Sequence, residues 1–286
     1  MEHSTSQPEG TPVKLFWWNK KTNFGDDLSR DVVSYVSGRD VVWAKPVRAE
    51  LFAVGSIMKM ASRGSLRRSS PIKPAIWGSG CMAPMDAEFV KAVQSPKIVR
   101  GPITAALLGL KDVEFGDPGL LARHVYGMSA NQDDIIGIVP HHSEVDDVAI
   151  KTLVASDPRF LLIDTRRPAK SVCAEIASCA QVFSSSLHGL IVADSFGISN
   201  QWFVLNQIHK SPSLKFYDYA TGIERALPRP LAIDDVAEKA KHEPLASLSY
   251  QDGITKSQEK LVECFPETTY ETEHKNVGNQ EPARTA

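Results

Sequence analysis

Between Val13 and Leu205 the chain repeats one pattern: an apolar run of strand length, a short polar or glycine-containing turn, then a stretch with helical periodicity. Strands joined in this way are parallel, and the alternation constrains the chain to an α/β fold with helices covering the sheets. Val13-Lys14-Leu15-Phe16-Trp17-Trp18 reads as the first strand. A polar turn through Asn23-Phe24-Gly25 leads to a helix starting near Asp26, with Leu28, Val32, Val33 and Tyr35 facing inward. Short strands follow at 41–43, 51–54 and 75–77. The last two run into Gly55-Ser56 and Gly78-Ser79-Gly80, where the missing side chains let backbone approach a ligand closely.

The polar stretch 129–134 reads as a linker, and a second series begins after it. Its strands are 135–139, 160–163, 181–183 and 202–205, and its helices are 145–155, 168–179 and 187–196. A chain of 286 residues has material for two cores. The expected architecture is therefore two Rossmann-like domains facing a cleft, residues 1–130 and 131–250. Residues 251–286 add a helix around Ile254 to Cys264 and a tail, from Pro266, with too few apolar residues to pack.

Residues 184–189 read SSSLHG, between a strand and an apolar helix. A strand that ends in hydroxyls and a histidine before turning into a helix gathers His188 and free backbone N–H groups at one crevice, suited to holding and protonating an anion. A core histidine beside a serine-rich turn is the other reading.

The formal net charge of −2 provides no basic field for nucleic acid. Locally, Met58 to Lys73 carries Lys59, Arg63, Arg67, Arg68 and Lys73 with no acidic residue. That run is either a solvated loop or a surface for peripheral contact with an anionic membrane or a phosphorylated lipid carrier. Cys81, Cys173, Cys179 and Cys264 lack zinc spacing, and the histidines and acids do not cluster as metal ligands, so no metal is expected. The polar leader with Glu2, Gln7 and Glu9, and the absence of a membrane-length apolar run, point to the cytoplasm. Trp17 and Trp18 alternate along a strand, leaving one for the core and one for the outer face.

Taken in order, Asn23-Phe24-Gly25-Asp26, Arg100-Gly101-Pro102, Gly116-Asp117-Pro118, Pro140-His141, Ser184 through Gly189 followed by Ala193 through Ile198, and Lys215-Phe216-Tyr217-Asp218-Tyr219 resemble the polysaccharide pyruvyl transferase family. The resemblance runs from about Trp17 to about Tyr219. It implies a fold like that of GT-B glycosyltransferases, and transfer of pyruvate from phosphoenolpyruvate to a sugar of an exopolysaccharide or cell-surface glycan as a ketal. Phosphoenolpyruvate is then a co-substrate, no cofactor is called for, and the glycan acceptor is free or lipid-linked.

Protonating an enol carbon and deprotonating sugar hydroxyls suits a group titrating near neutrality, which makes His188 the candidate general acid and base. The donor's carboxylate and phosphate suit a planar guanidinium, and Arg100 is the candidate clamp. Ser184, Ser185, Ser186, Leu187 and Gly189 would supply hydroxyls and helix-start N–H groups. Family members commonly have arginine where this chain has Ser186, so Arg166 or Lys215 is expected to replace that cation. A further departure is Thr22, near a position where members commonly have glycine. Asn23, Gly25, Asp26, Asp117 and His141 are expected on the acceptor side, with Asp27 a cap for the helix start. Two alternatives stay open: a GT-B glycosyltransferase using a nucleotide sugar, and a non-catalytic carbohydrate-binding protein.

Overall fold

The computed structural model describes residues 11–67, 69, 73–130, 133–205, 213–242, 244 and 247–266. The polar leader, Arg68, residues 131–132 of the linker and the tail beyond 266 lie outside the described residues.

The first half contains strands β1 (Val13–Phe16), β2 (Val41–Trp43), β3 (Leu51–Phe52), β4 (Ala75–Ile76), β5 (Ile98–Val99) and β6 (Glu114–Phe115). Its helices are α1 (Phe24–Ser37), α2 (Met58–Ser65), α3 (Ala87–Ala92), α4 (Pro102–Leu108) and α5 (Ala122–Tyr126), with a 3-10 helix at Pro118–Leu121. The second half contains β7 (Asp133–Val139), β8 (Phe160–Leu162), β9 (Cys179–Ser184), β10 (Ser199–Val204) and β11 (Leu231–Ala232). Its helices are α6 (Val148–Ala155), α7 (Ala169–Ala177), α8 (Leu187–Ser195), α9 (Leu214–Gly222), α10 (Ile233–Lys239) and α11 (Gln251–Glu263).

The strands form parallel sheets in the orders β2-β1-β3-β4 and β11-β10-β9-β7-β8, with β5 paired to β6. Apart from β2 and β3, which a turn joins and which flank β1 in the sheet, sequential strands are separated by helices, as parallel pairing requires and as the alternation predicts. The apolar runs anchor the long strands: Val182 and Phe183 of β9, and Ile136, Ile138 and Val139 of β7, are buried. Strands β5 and β6 are two residues each and carry no run long enough to be read from the sequence.

Several local expectations are corrected. Helix α1 begins at Phe24 rather than near Asp26, because Asn23 and not Asp27 is its N-cap: the Asn23 side chain accepts from Gly25 N. Tyr35, in its last turn, is 52% exposed, and Val36 packs on the core instead. Helix α6 starts three residues later than expected, where Asp147 accepts from Ala149 N and caps it. The segment 58–73 is not a loop throughout, since its first eight residues form α2.

The halves share an apolar core. One cluster joins Leu15, Phe24, Leu28 and Val32 to Val172, Ile176, Leu187 and Ile191, so α1 packs between the first sheet and helices α7 and α8. Polar contacts cross at the same level. Phe24 N donates to Thr165 O at 2.9 Å, and Ser195 Oγ donates to Leu120 O at 2.7 Å. Helix α11 returns to the first half, where Trp77 Nε1 donates to Leu261 O at 2.9 Å.

Candidate functional site

Parallel sheets present the C-terminal ends of their strands, with the loops that follow, at one edge, where ligands bind in open α/β folds. After β1 comes Asn23–Asp26, after β3 Gly55-Ser56, and after β5 Arg100. After β7 comes His141, and after β9 Ser184–Ser186. The start of α1 meets the start of α8 directly. A Cβ built on Gly25 would lie 2.0 Å from His188 Nδ1, and the Phe24 ring stands edge-on to the imidazole with centroids 6.5 Å apart. Gly25 is thus the residue that lets the imidazole reach this wall. Its place in the asparagine motif is steric.

His188 sits in the first turn of α8, buried, and its Nε2 has no hydrogen-bond partner among the described residues. Burial, then the charges of Lys215 and Arg100, pull its pKa down to about 3. The imidazole is therefore neutral at pH 7, and its surroundings move it away from the titration near neutrality expected of it.

Arg100 is fully buried. Its Nε donates to Asp218 Oδ2 at 2.9 Å, Nη1 to Ser56 Oγ at 2.7 Å, and Nη2 weakly to Cys81 O at 3.4 Å. Asp218 also accepts from Thr104 N and Thr104 Oγ1, both at 2.7 Å. The guanidinium lies against Gly80, where any Cβ would come within 2.0 Å of Cζ. The space freed by this glycine-rich turn is occupied by the chain's own arginine, not kept open for a ligand. Arg100 thereby pins the first half to α9 while placing positive charge near His188.

Lys215, on α9, faces the same region. Burial, then Arg100, lower its pKa to about 8, while Asp26 and Glu144 raise it. Of the two cations expected to stand in for an arginine at position 186, Lys215 is the one the fold brings close to His188, whereas Arg166 is exposed and its guanidinium is engaged by Asp164 and Asp146.

Asp26 accepts from Asn23 Nδ2 at 2.9 Å and lies beside Gly55. Burial outweighs that hydrogen bond and, with the Asp27 charge, raises its pKa to about 7, against the lowering effect of Lys215. Folded, the carboxyl keeps its proton up to that pH, whereas unfolded it ionises near 3.8. Through this window the unfolded chain binds fewer protons, so the Asp26 contribution to stability falls as pH rises and stays low above it. Asp26→Asn is accordingly expected to raise the unfolding free energy at pH 8 by roughly 2–4 kcal/mol and to change little at pH 3.5. Urea unfolding at the two pH values reads the difference, and an equal effect at both would contradict it.

The serines divide. Ser184 Oγ donates toward Val139 O and Ser186 O and accepts from Ser186 N, so its hydroxyl closes the turn and is not offered to the crevice. Gly189 gives it room, since a Cβ there would come 2.2 Å from that oxygen. Ser185 Oγ donates to Glu144 Oε2 at 2.6 Å and accepts from His141 N at 2.9 Å. Ser186 takes the N-cap position of α8 without a side-chain cap bond, and Leu187 packs in the shared core. Asp117 is buried and accepts from Gly119 N at 3.0 Å, which caps the 3-10 helix. Burial lifts its pKa to about 6. His141 Nδ1 lies 2.8 Å from Ser143 Oγ.

Glu144, Ser56, Thr104 and Asp218 were not singled out as functional residues. Asp218 had a signal in the closing K-F-x-D-Y pattern, but its partner is 118 positions away. Of the paired tryptophans, Trp17 packs on the core and Trp18 is exposed. Among the described residues no group of three or more His, Cys, Asp or Glu is placed to hold a metal ion, and no helix is long and apolar enough to cross a membrane.

No family model matches the chain. It is similar to the succinoglycan biosynthesis protein ExoV of Rhizobium meliloti (strain 1021), 26% identical over 217 residues, which cover 72% of this chain and 63% of the relative. It is also similar to an uncharacterized protein of Acanthamoeba polyphaga mimivirus, 35% identical over 175 residues, 57% of this chain and 60% of the relative. The chain therefore spans less than two thirds of the length of these relatives, and what it shares with ExoV is distant kinship to a protein of glycan biosynthesis.

Proposed function

We propose that the chain is a pyruvyl transferase that moves the pyruvate group of phosphoenolpyruvate onto two hydroxyls of a glycan, forming a ketal, from a GT-B-like pair of Rossmann-like domains. The observation that carries the reading is the grouping of Arg100 and Lys215 around an imidazole whose Nε2 is unpartnered, at the start of α8. Lys215 and a helix N-terminus, with the buried Arg100 adding positive charge through space, suit a donor bearing a carboxylate and a phosphate. The order of motifs and the kinship to a succinoglycan biosynthesis protein support the same class.

Asp26 and His188 differ by several units in the pH at which they titrate, although both belong to the same junction of α1 and α8. Groups pushed apart in this way divide acid and base roles. In the proposed reaction Asp26, whose raised pKa of about 7 leaves part of the population protonated at neutral pH, gives its proton to the enol carbon. Neutral His188 accepts the proton of the first sugar hydroxyl as its oxygen bonds to the adjacent carbon. The second hydroxyl closes the ketal as the carbon–oxygen bond to phosphate breaks, and its proton leaves with inorganic phosphate; His188 then loses its proton to solvent and Asp26 regains one, which restores both groups. Lys215 and Arg100 balance donor charge, and an anionic donor would raise His188 toward neutrality. The wall formed by Asn23, Asp26 and His141 would take the acceptor.

The test is phosphate release from phosphoenolpyruvate with and without candidate oligosaccharides, with mass spectrometry of the sugar. Release that depends on the acceptor and leaves a pyruvate ketal on it supports the reading. Tight binding of a nucleotide sugar without binding of phosphoenolpyruvate, or ligand binding without any change to the sugar, overturns it.

A further inference from the structure

Helix α2 has two faces. Met58, Ala61, Gly64 and Ser65 are buried, and a Cβ on Gly64 would lie 2.3 Å from Pro46 O, so the helix is clamped on its inner side. On the outer side Lys59 and Arg63 are exposed one helical turn apart, and the turn that follows the helix adds exposed Arg67 and Leu66, the leucine 46% exposed. Between Leu51 and Met85 the sequence contains no acidic residue, and none of these three cations meets a carboxylate among the described residues. Lys73, further along, is exposed as well. The helix also leaves from the wall of the site. Its first residue is two positions after Ser56, whose hydroxyl accepts from Arg100.

We propose that the outer face of α2 docks on an anionic lipid bilayer. A row of unpaired cations with an adjacent exposed leucine fits that surface, because the charges meet lipid headgroups while the apolar side chain enters the interface. Nucleic acid fits less well, since the chain as a whole is slightly negative. Docking by charge stands on α2 itself; its use, bringing a lipid-carried glycan to the adjoining site, rests on the transferase reading.

The experiment is flotation of the full chain with vesicles of phosphatidylcholine containing phosphatidylglycerol, against pure phosphatidylcholine, at low and high salt. Binding is expected only to the anionic vesicles and should weaken as salt rises. The triple variant K59Q/R63Q/R67Q is expected to bind about 100-fold more weakly, at about fivefold per basic residue. Its circular dichroism and thermal transition should match those of the parent, because the three side chains are exposed. Failure of the parent to bind anionic vesicles, equal binding to neutral ones, an unaffected triple variant, or preference for a single-stranded RNA homopolymer over vesicles would each overturn the proposal. Vesicle binding is read without turnover, while ketal formation on a water-soluble oligosaccharide tests the transferase reading separately. The triple variant should keep that soluble activity.

Discussion

Arg100→Met is expected to lower the unfolding free energy by about 3–5 kcal/mol, the cost of removing one partner of a fully buried ion pair. Asp218 would keep its bonds from Thr104 but lose the only cation within hydrogen-bonding distance of it among the described residues. The damage should fall on the junction between α4 and α9, because the pair joins residues 118 positions apart. Asp218→Asn in the same background should recover part of the loss. In a double-mutant cycle the combined effect is therefore smaller than the sum of the single ones by more than about 0.5 kcal/mol. Urea unfolding of the four proteins measures this, and strict additivity would show that the pair is not coupled. An independent signature comes from electrostatics. Arg100 is among the charges holding His188 down, so the ring of His188 should titrate at higher pH in Arg100→Met, as followed by NMR.

The second large effect is on turnover. His188→Gln is expected to cut the proposed ketal formation by about 10²–10⁴-fold, the range associated with a lost acid or base. Full turnover in that variant would remove His188 from the chemistry. Glutamine also removes an acid-labile element. The folded pKa of about 3 lies below the unfolded 6.5, so between them the unfolded chain binds more protons. Stability from this group is fully present above 6.5 and is lost as pH falls toward 3. The variant should thus lose less stability than the parent between pH 7 and pH 4.5. A steeper acid loss in His188→Gln would contradict the burial argument.

The two predictions separate residues that the motifs present side by side. Arg100 is read from sequence as an anion clamp, yet its guanidinium is mostly used inside the protein. Lys215 and Arg166 look alike as free cations in the sequence, but their neighbours differ: Asp146 and Asp164 pair with Arg166, while Lys215 is buried near His188. The serines of SSSLHG likewise look equivalent in sequence, but Ser184 is locked into the turn while Ser185 binds Glu144.

The parallel α/β plan was legible because its cause is local. Apolar runs such as those of β7 and β9 must be buried between helices, and the spacing between runs leaves only a crossover connection. That the motifs gather at one edge was legible for the same reason, since strand ends in a parallel sheet share it. The two-residue strands β5 and β6 left no such trace, and neither did the close fit of Gly25 to His188. The protonation states of Asp26 and His188, and the difference between a cation already paired and one still facing the crevice, depend on groups far apart in the chain. Burial and through-space charge are properties of packing, so only the tertiary structure decided them.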